Sequence, residues 1–156
     1  QKIAMRTAQT TIVNQAPKQQ VWAEMATVQA YTYRNHFIKR VTTSASPPQE
    51  GTTMTFEVQF ENGRQARSQA VVTEWRPPNS AGGQQAQWAY RFHGWLDRLG
   101  LVRAVRVQSL KAQPDGSTLY ETSEVFRGWG IALVPLAQVQ KGFEAQAAAL
   151  KAACEA

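Results

Sequence analysis

The sequence has little of what metal, redox and disulfide chemistry require. Its 156 residues include one cysteine, Cys154, and two histidines. These numbers exclude an internal disulfide framework and an ordinary zinc site, and we predict neither a metal nor a cofactor. The single cysteine favours a reducing compartment, so we expect a cytoplasmic protein.

Long apolar runs and nucleotide-binding motifs are also missing. No stretch approaches the roughly 20 apolar residues of a membrane-spanning helix. No basic and then apolar leader opens the chain, although the chain does not begin with Met, which leaves a removed upstream segment open. The sequence also has no G-x-S-x-G elbow, P-loop or G-x-G-x-x-G turn. Composition alone therefore does not name a function.

Positive charge is in excess, and it is concentrated in one segment. The formal net charge is +6, and the segment from Arg64 to Lys111 carries eight basic residues against two acidic ones, which accounts for the whole excess. Three of the five tryptophans lie in the same segment. This pattern is typical of an arginine-rich outer sheet face, and it also suits contact with an anionic ligand, a lipid surface or nucleic acid.

Alternating apolar and polar residues predict seven strands. They cover residues 6–14, 37–43, 53–60, 65–76, 88–93, 101–110 and 117–127, with hairpin signals at Asn62-Gly63 and Asp115-Gly116. We predict a helix that opens at Pro17, a short second helix within residues 27–35, and a long helix over residues 132–154. Helices that are segregated from an antiparallel sheet define an α+β domain, and we expect residues 1–156 to form a single one.

Four stretches of the chain, taken in order, resemble the SRPBCC superfamily, which includes the START and birch-pollen-allergen-like proteins. They are residues 14–22 (NQAPKQQVW), 31–38 (YTYRNHFI), 115–128 (DGSTLYETSEVFRG) and 142–151 (GFEAQAAALK). The polyketide cyclase/dehydrase-like branch is the most similar. Arg34 and His36 stand where the family has Trp and Pro; near a cavity mouth they would favour an acidic or polar ligand, or they would face solvent.

The resemblance implies a helix-grip fold, in which a curved seven-stranded antiparallel sheet wraps around the long C-terminal helix and two short helices follow the first strand. It also implies a hydrophobic cavity between sheet and helix. Members of the superfamily bind lipids, sterols, polyketides, plant hormones or quinones there, and some catalyse cyclisation or dehydration. Because fold does not fix function, the resemblance predicts a cavity more directly than a reaction.

Apolar positions on the sheet and the last helix are predicted to converge and line that cavity. A filled core without room for a ligand is the alternative. The predicted lining residues are Met54, Phe56, Val58, Phe60, Trp88, Tyr90, Phe92, Tyr120, Phe126, Val139 and Phe143.

Glu124 is a candidate acid or base, because it shares strand parity with Tyr120 and Phe126. On an inward face, burial would raise its pKa. Arg103, taken to face inward from the neighbouring strand, is its predicted partner, either to orient a ligand hydroxyl or to form a structural ion pair. His36 and Tyr90 are further candidates for proton transfer, whereas strand alternation places His93 on the outer face.

Three functions remain open. The first is binding or transport of a small hydrophobic molecule, such as a lipid, polyketide or quinone-like compound. The second is a cyclase or dehydratase that acts on such a molecule in the same cavity. The third is contact between the arginine-rich segment and an anionic surface. We expect no nucleic acid partner and weak anionic membrane contact at most; the sequence leaves the oligomeric state open.

Overall fold

In a computed structural model, which describes residues 5–27, 38–59, 62–78, 85–94 and 99–156, seven strands form one antiparallel sheet. The strand order across the sheet is β1-β7-β6-β5-β4-β3-β2, so all neighbours except β1 and β7 are consecutive in the chain. The strands are β1 Met5–Asn14, β2 Ile38–Thr43, β3 Thr53–Gln59, β4 Gln65–Arg76, β5 Gln85–His93, β6 Arg103–Ala112 and β7 Thr118–Arg127.

Two α-helices accompany this sheet, and the predicted α+β class is confirmed. Helix α1 spans Lys18–Met25 and follows Pro17; helix α2 spans Leu136–Glu155. The prediction that α2 begins at residue 132 is wrong, because Pro135 forces Val134 into an extended conformation and leaves only a 3-10 turn at Ile131–Leu133. The short helix predicted within residues 27–35 falls almost wholly outside the described residues. In the parts of the chain that the structure describes, no helix is both long and apolar enough to cross a membrane.

Side chains of α2 hold the helix along the edge strand β1. Gln140 Nε2 donates to the Gln9 carbonyl at 2.8 Å, and the Gln9 amide donates back to Gln140 Oε1 at 3.1 Å. Further along, Lys151 Nζ donates to the Val13 carbonyl at 2.8 Å, and the Gln15 amide donates to Glu155 Oε2 at 2.8 Å. Backbone groups of an edge strand lack a neighbouring strand, and here the helix supplies their partners.

The interior between the sheet and α2 contains two clusters of buried apolar side chains. The larger one, here called the aromatic cluster, packs against the C-terminal half of α2 and is built from Met54, Phe56, Trp88, Tyr90, Leu110, Tyr120, Leu150 and smaller neighbours. The second, here called the pocket cluster, lies against the N-terminal half of α2 and consists of Ala8, Ala104, Phe126, Ile131 and Phe143, with Val102, Val134 and Val139 at its margin. Phe92 packs against both clusters.

A tight crossing joins the end of β7 to the segment before β6. Gly128 has φ +129°, and a Cβ at this position would overlap the backbone carbonyl of Leu101, so only glycine fits. Two residues later, the Gly130 amide donates to the same Leu101 carbonyl at 2.6 Å. This crossing fixes the chain on one side of the pocket cluster.

Candidate functional site

A pocket of about 380 Å³ opens in the pocket cluster, between the start of α2 and the adjoining ends of β5, β6 and β7. Pockets of a few hundred Å³ accept small organic ligands. The wall is mainly apolar, and it includes one carboxylic acid, Glu124, and one imidazole, His93. The apolar lining residues are Phe92, Val102, Ala104, Phe126, Leu133, Val134, Pro135 and Val139, and Arg67, Ser68, Gln69 and Gly94 complete the wall.

Glu124 is almost fully buried in this wall, with 6% of its surface exposed. Burial raises the pKa of its carboxyl to about 7, although the charge of Arg106 acts in the opposite direction. Within the described part of the chain, no group donates a hydrogen bond to this carboxyl. The site therefore offers a pocket ligand a carboxyl group that changes protonation state near neutral pH.

Arg106 lies beside Glu124 and forms the centre of a buried polar network. Its Nε donates to Thr122 Oγ1 at 3.1 Å, one guanidinium nitrogen donates to Tyr90 Oη at 2.9 Å, and the other donates to Gln146 Oε1 at 3.1 Å. The guanidinium carbon also lies 4.2 Å from the centre of the Phe143 ring, in cation–π geometry. These contacts hold a full positive charge inside the protein, against the inner side of the pocket.

Strand register explains why these groups meet. Arg106 pairs with Tyr90 on β5 and with Glu124 on β7, and Glu124 pairs with Ala8 on β1. All four side chains are buried, so they form one inward-facing row across four strands. Burial also raises the pKa of Tyr90 to about 12, although Arg106 acts to lower it, so the phenol stays protonated near neutral pH.

The structure separates the predicted lining residues into three groups. Phe92, Glu124, Phe126 and Val139 line the pocket, and Phe143 lies next to it under the Arg106 guanidinium. The predicted residues that pack within the aromatic cluster and do not line the pocket are Met54, Phe56, Trp88, Tyr90 and Tyr120. Val58 lines a different, largely polar cleft of about 370 Å³ beside Lys39 and Glu57. His36 and Phe60 lie outside the described residues.

The predicted pairing of Arg103 with Glu124 is wrong. Arg103 is exposed and pairs with Arg127, whereas Arg106 pairs with Glu124. A two-residue turn at Asp115-Gly116 would place Val107 opposite Glu124 and turn Arg103 inward. The observed turn closes between Gln113 and Ser117 around a three-residue loop, with Gly116 at φ +88°, and this shift by one residue reverses the faces of β6.

Sequence reasoning therefore missed Arg106, and it also misplaced His93. The imidazole of His93 is half-buried and lines the pocket, and its Nε2 is buried without a hydrogen-bond partner in the described part of the chain. Gln146, the third partner of Arg106, was missed because the helical stripe was defined from apolar residues alone. Its position three residues after Phe143 was the available signal, since such residues share a helix face.

Comparison with known proteins places the fold. Neither a protein-family model nor a curated protein sequence matches the chain. Solved structures do match: the ZhuI aromatase/cyclase from Streptomyces sp. R1128 is 15% identical with a TM-score of 0.75, over 97% of this chain and 94% of that one. Ara h 8.0201 is 13% identical with a TM-score of 0.72, over 97% and 99%.

A third similar structure is norcoclaurine synthase from Thalictrum flavum, in complex with dopamine and hydroxybenzaldehyde. It is 9% identical with a TM-score of 0.70, over 97% of this chain and 87% of that one. The chain therefore has the helix-grip fold of the SRPBCC superfamily, and the resemblance in the sequence is confirmed at the level of the fold. At these identities the likeness carries no activity across.

Proposed function

We propose that the protein binds a small, mainly apolar molecule with at least one polar group in the pocket beside Glu124. The observation that carries this proposal is a buried carboxyl, without a hydrogen-bond partner among the described residues, in an otherwise apolar wall. Buried polar groups are normally hydrogen-bonded, so a ligand hydroxyl or carbonyl is a fitting partner. Apolar contacts with Phe92, Phe126 and Val139 would supply affinity, and Glu124 would set orientation.

The ligand class that suits this pocket is a lipid-like, polyketide-like or quinone-like compound. Such molecules combine an apolar body with a few oxygen atoms. The solved complex of norcoclaurine synthase with dopamine and hydroxybenzaldehyde supports the proposal, because the same fold holds small molecules in that protein.

A fluorescent apolar probe, anilinonaphthalene sulfonate, tests the pocket directly. We expect Val139→Phe, which adds a ring inside the pocket, to weaken probe binding on the order of tenfold. The matched control is Ala148→Phe, which adds a ring at an exposed position of the same helix and should leave probe affinity unchanged. Equal affinities for both variants and the wild type would remove the pocket as the binding site.

An enzyme of the cyclase or dehydratase type is the second candidate, and one observation favours it. A carboxyl with a pKa of about 7, placed in an apolar pocket, is suited to donate or accept a proton near neutral pH. Glu124 would then transfer the proton, and the Arg106 network would hold the charge balance around it.

Small molecules extracted from wild-type protein and from Glu124→Gln separate the two candidates. Binding alone predicts the same compound, by mass spectrometry, from both proteins. Proton-transfer catalysis predicts that Glu124→Gln retains an unconverted substrate that the wild type lacks. Extracts that are empty from both proteins, together with an absence of probe binding, would contradict both candidates.

A further inference from the structure

The large apolar side chains that remain exposed are concentrated at the end of the molecule where the pocket opens. They are Trp129 at 78% exposure, Leu133 at 70%, Leu99 at 66%, Met5 at 58% and Val105 at 38%. Single exposed apolar residues are ordinary on a protein surface, whereas several at one place mark a contact surface.

Strand register and local contacts place these residues together. Met5 pairs with Arg127 and Arg127 pairs with Arg103, so the start of β1, the end of β7 and the start of β6 lie at one end of the sheet. Trp129 follows directly, between the two glycines that pack against Leu101. Leu133 belongs to the pocket wall itself. The exposed apolar residues therefore surround the pocket mouth; we call them, with Arg103 and Arg127, the mouth surface.

The charge of the mouth surface has one sign. Arg103 and Arg127 are exposed and face each other across β6 and β7. In the described segments around them, residues 5–7, 99–105 and 125–139, there is no aspartate or glutamate. Exposed tryptophan and leucine beside unopposed arginines match the two layers of an anionic bilayer surface, since the indole partitions into the interface and the guanidinium contacts lipid phosphates.

We infer that the mouth surface docks the protein onto anionic membranes, with the pocket mouth facing the bilayer. Charge complementarity favours a lipid surface over an apolar protein partner, because apolar side chains and arginines alternate around the opening and no acidic group is present there to pair with a basic partner. An apolar ligand would then pass between bilayer and pocket without crossing water.

Vesicle binding tests this inference with the intact protein. We expect binding to vesicles of phosphatidylcholine mixed with phosphatidylglycerol, little binding to phosphatidylcholine alone, and weaker binding as potassium chloride increases. Trp129→Ser should weaken partition on the order of tenfold, and Arg127→Gln about fivefold. The charge-matched control is Lys111→Gln, at the opposite end of β6, which should bind like the wild type.

Three outcomes would overturn the inference. They are an absence of binding to the mixed vesicles, equal binding to both kinds of vesicle, and equal binding by Trp129→Ser, Arg127→Gln and Lys111→Gln. Thermal unfolding of each variant confirms that it is folded, and Arg127→Gln keeps the test valid if Trp129→Ser is unstable. Because probe binding in the pocket is measured without lipid, failure of docking leaves the proposed ligand site standing.

Discussion

The two halves of the interior are both apolar, yet one is filled and the other holds a pocket. In the aromatic cluster, rings follow one another in contact, with centroid distances of 5.4 Å from Trp75 to Trp88, 4.9 Å from Trp88 to Tyr90 and 5.5 Å from Tyr90 to Phe92. In the pocket cluster, the sheet beneath α2 presents the small side chains of Ala8 and Ala104.

The comparison shows that side-chain volume, rather than hydropathy, decides where a cavity forms. Rings as large as tryptophan and tyrosine span the space between sheet and helix, and close packing leaves few voids. Alanine cannot span it. Because Pro135 delays the start of α2, the chain that covers this end is an extended segment and a 3-10 turn instead of a further helical turn with its side chains.

The largest expected effect distinguishes the two halves by truncation. Trp88→Ala should lower the free energy of unfolding by about 4 kcal/mol, because it opens a large cavity among fully buried rings. Val139→Ala, at the wall of an existing pocket, should lower it by about 1 kcal/mol or less. Urea unfolding measures both. Similar losses for the two variants would mean that the halves are equally well packed.

The next effect concerns two arginines three residues apart on β6. Arg106→Met should lower the free energy of unfolding by about 3 kcal/mol, because Tyr90, Thr122 and Gln146 each lose a buried hydrogen-bond partner. Arg103→Met is exposed and should change stability by less than about 0.5 kcal/mol. If chemical denaturation gave the opposite order, the inward row that contains Arg106 would be incorrect.

The third effect depends on pH and belongs to the pocket half alone. The pKa of Glu124 is raised from 4.5 to about 7, so the folded protein binds the proton more tightly than the unfolded chain. Stability is therefore highest below pH 4.5 for this group and decreases as pH rises to about 7, by at most on the order of 3 kcal/mol.

Glu124→Gln removes that dependence and provides the measurement. Thermal unfolding of the variant, compared with the wild type across this pH range, should show a difference that grows with pH in favour of the variant. A constant difference between the two proteins would mean that the carboxyl titrates normally in the folded state.

Much of the fold was predictable because strands and turns are encoded locally. Alternation at Met54, Phe56 and Val58 defined β3, and the pattern around Glu124 defined β7. The faces of β6 were not predictable in the same way, because Val105 and Val107 appear to be the buried set. The register of a hairpin depends on whether its loop has two or three residues, and a one-residue difference exchanges the two faces.

The candidate site was predictable only in part, for a related reason. The alternation of Tyr90 and Glu124 defined which side chains share a face, but not which part of that face is filled. Where α2 begins, and how much space Ala8 and Ala104 leave, depends on contacts between distant segments. His93 was assigned to the outer face by strict alternation, which does not hold at the last residue of β5.

The Gly128 crossing has a mechanical consequence for ligand exchange. Since the backbone at Gly128 and Gly130 is joined to Leu101, the segments after β7 and before β6 move as one rigid jamb beside the opening. Widening of the entrance must then come from its other sides, where residues 133–135 approach α2 and where β4 contributes Ser68 and Gln69. Traffic into the pocket is thus directed past the proline turn at the head of α2.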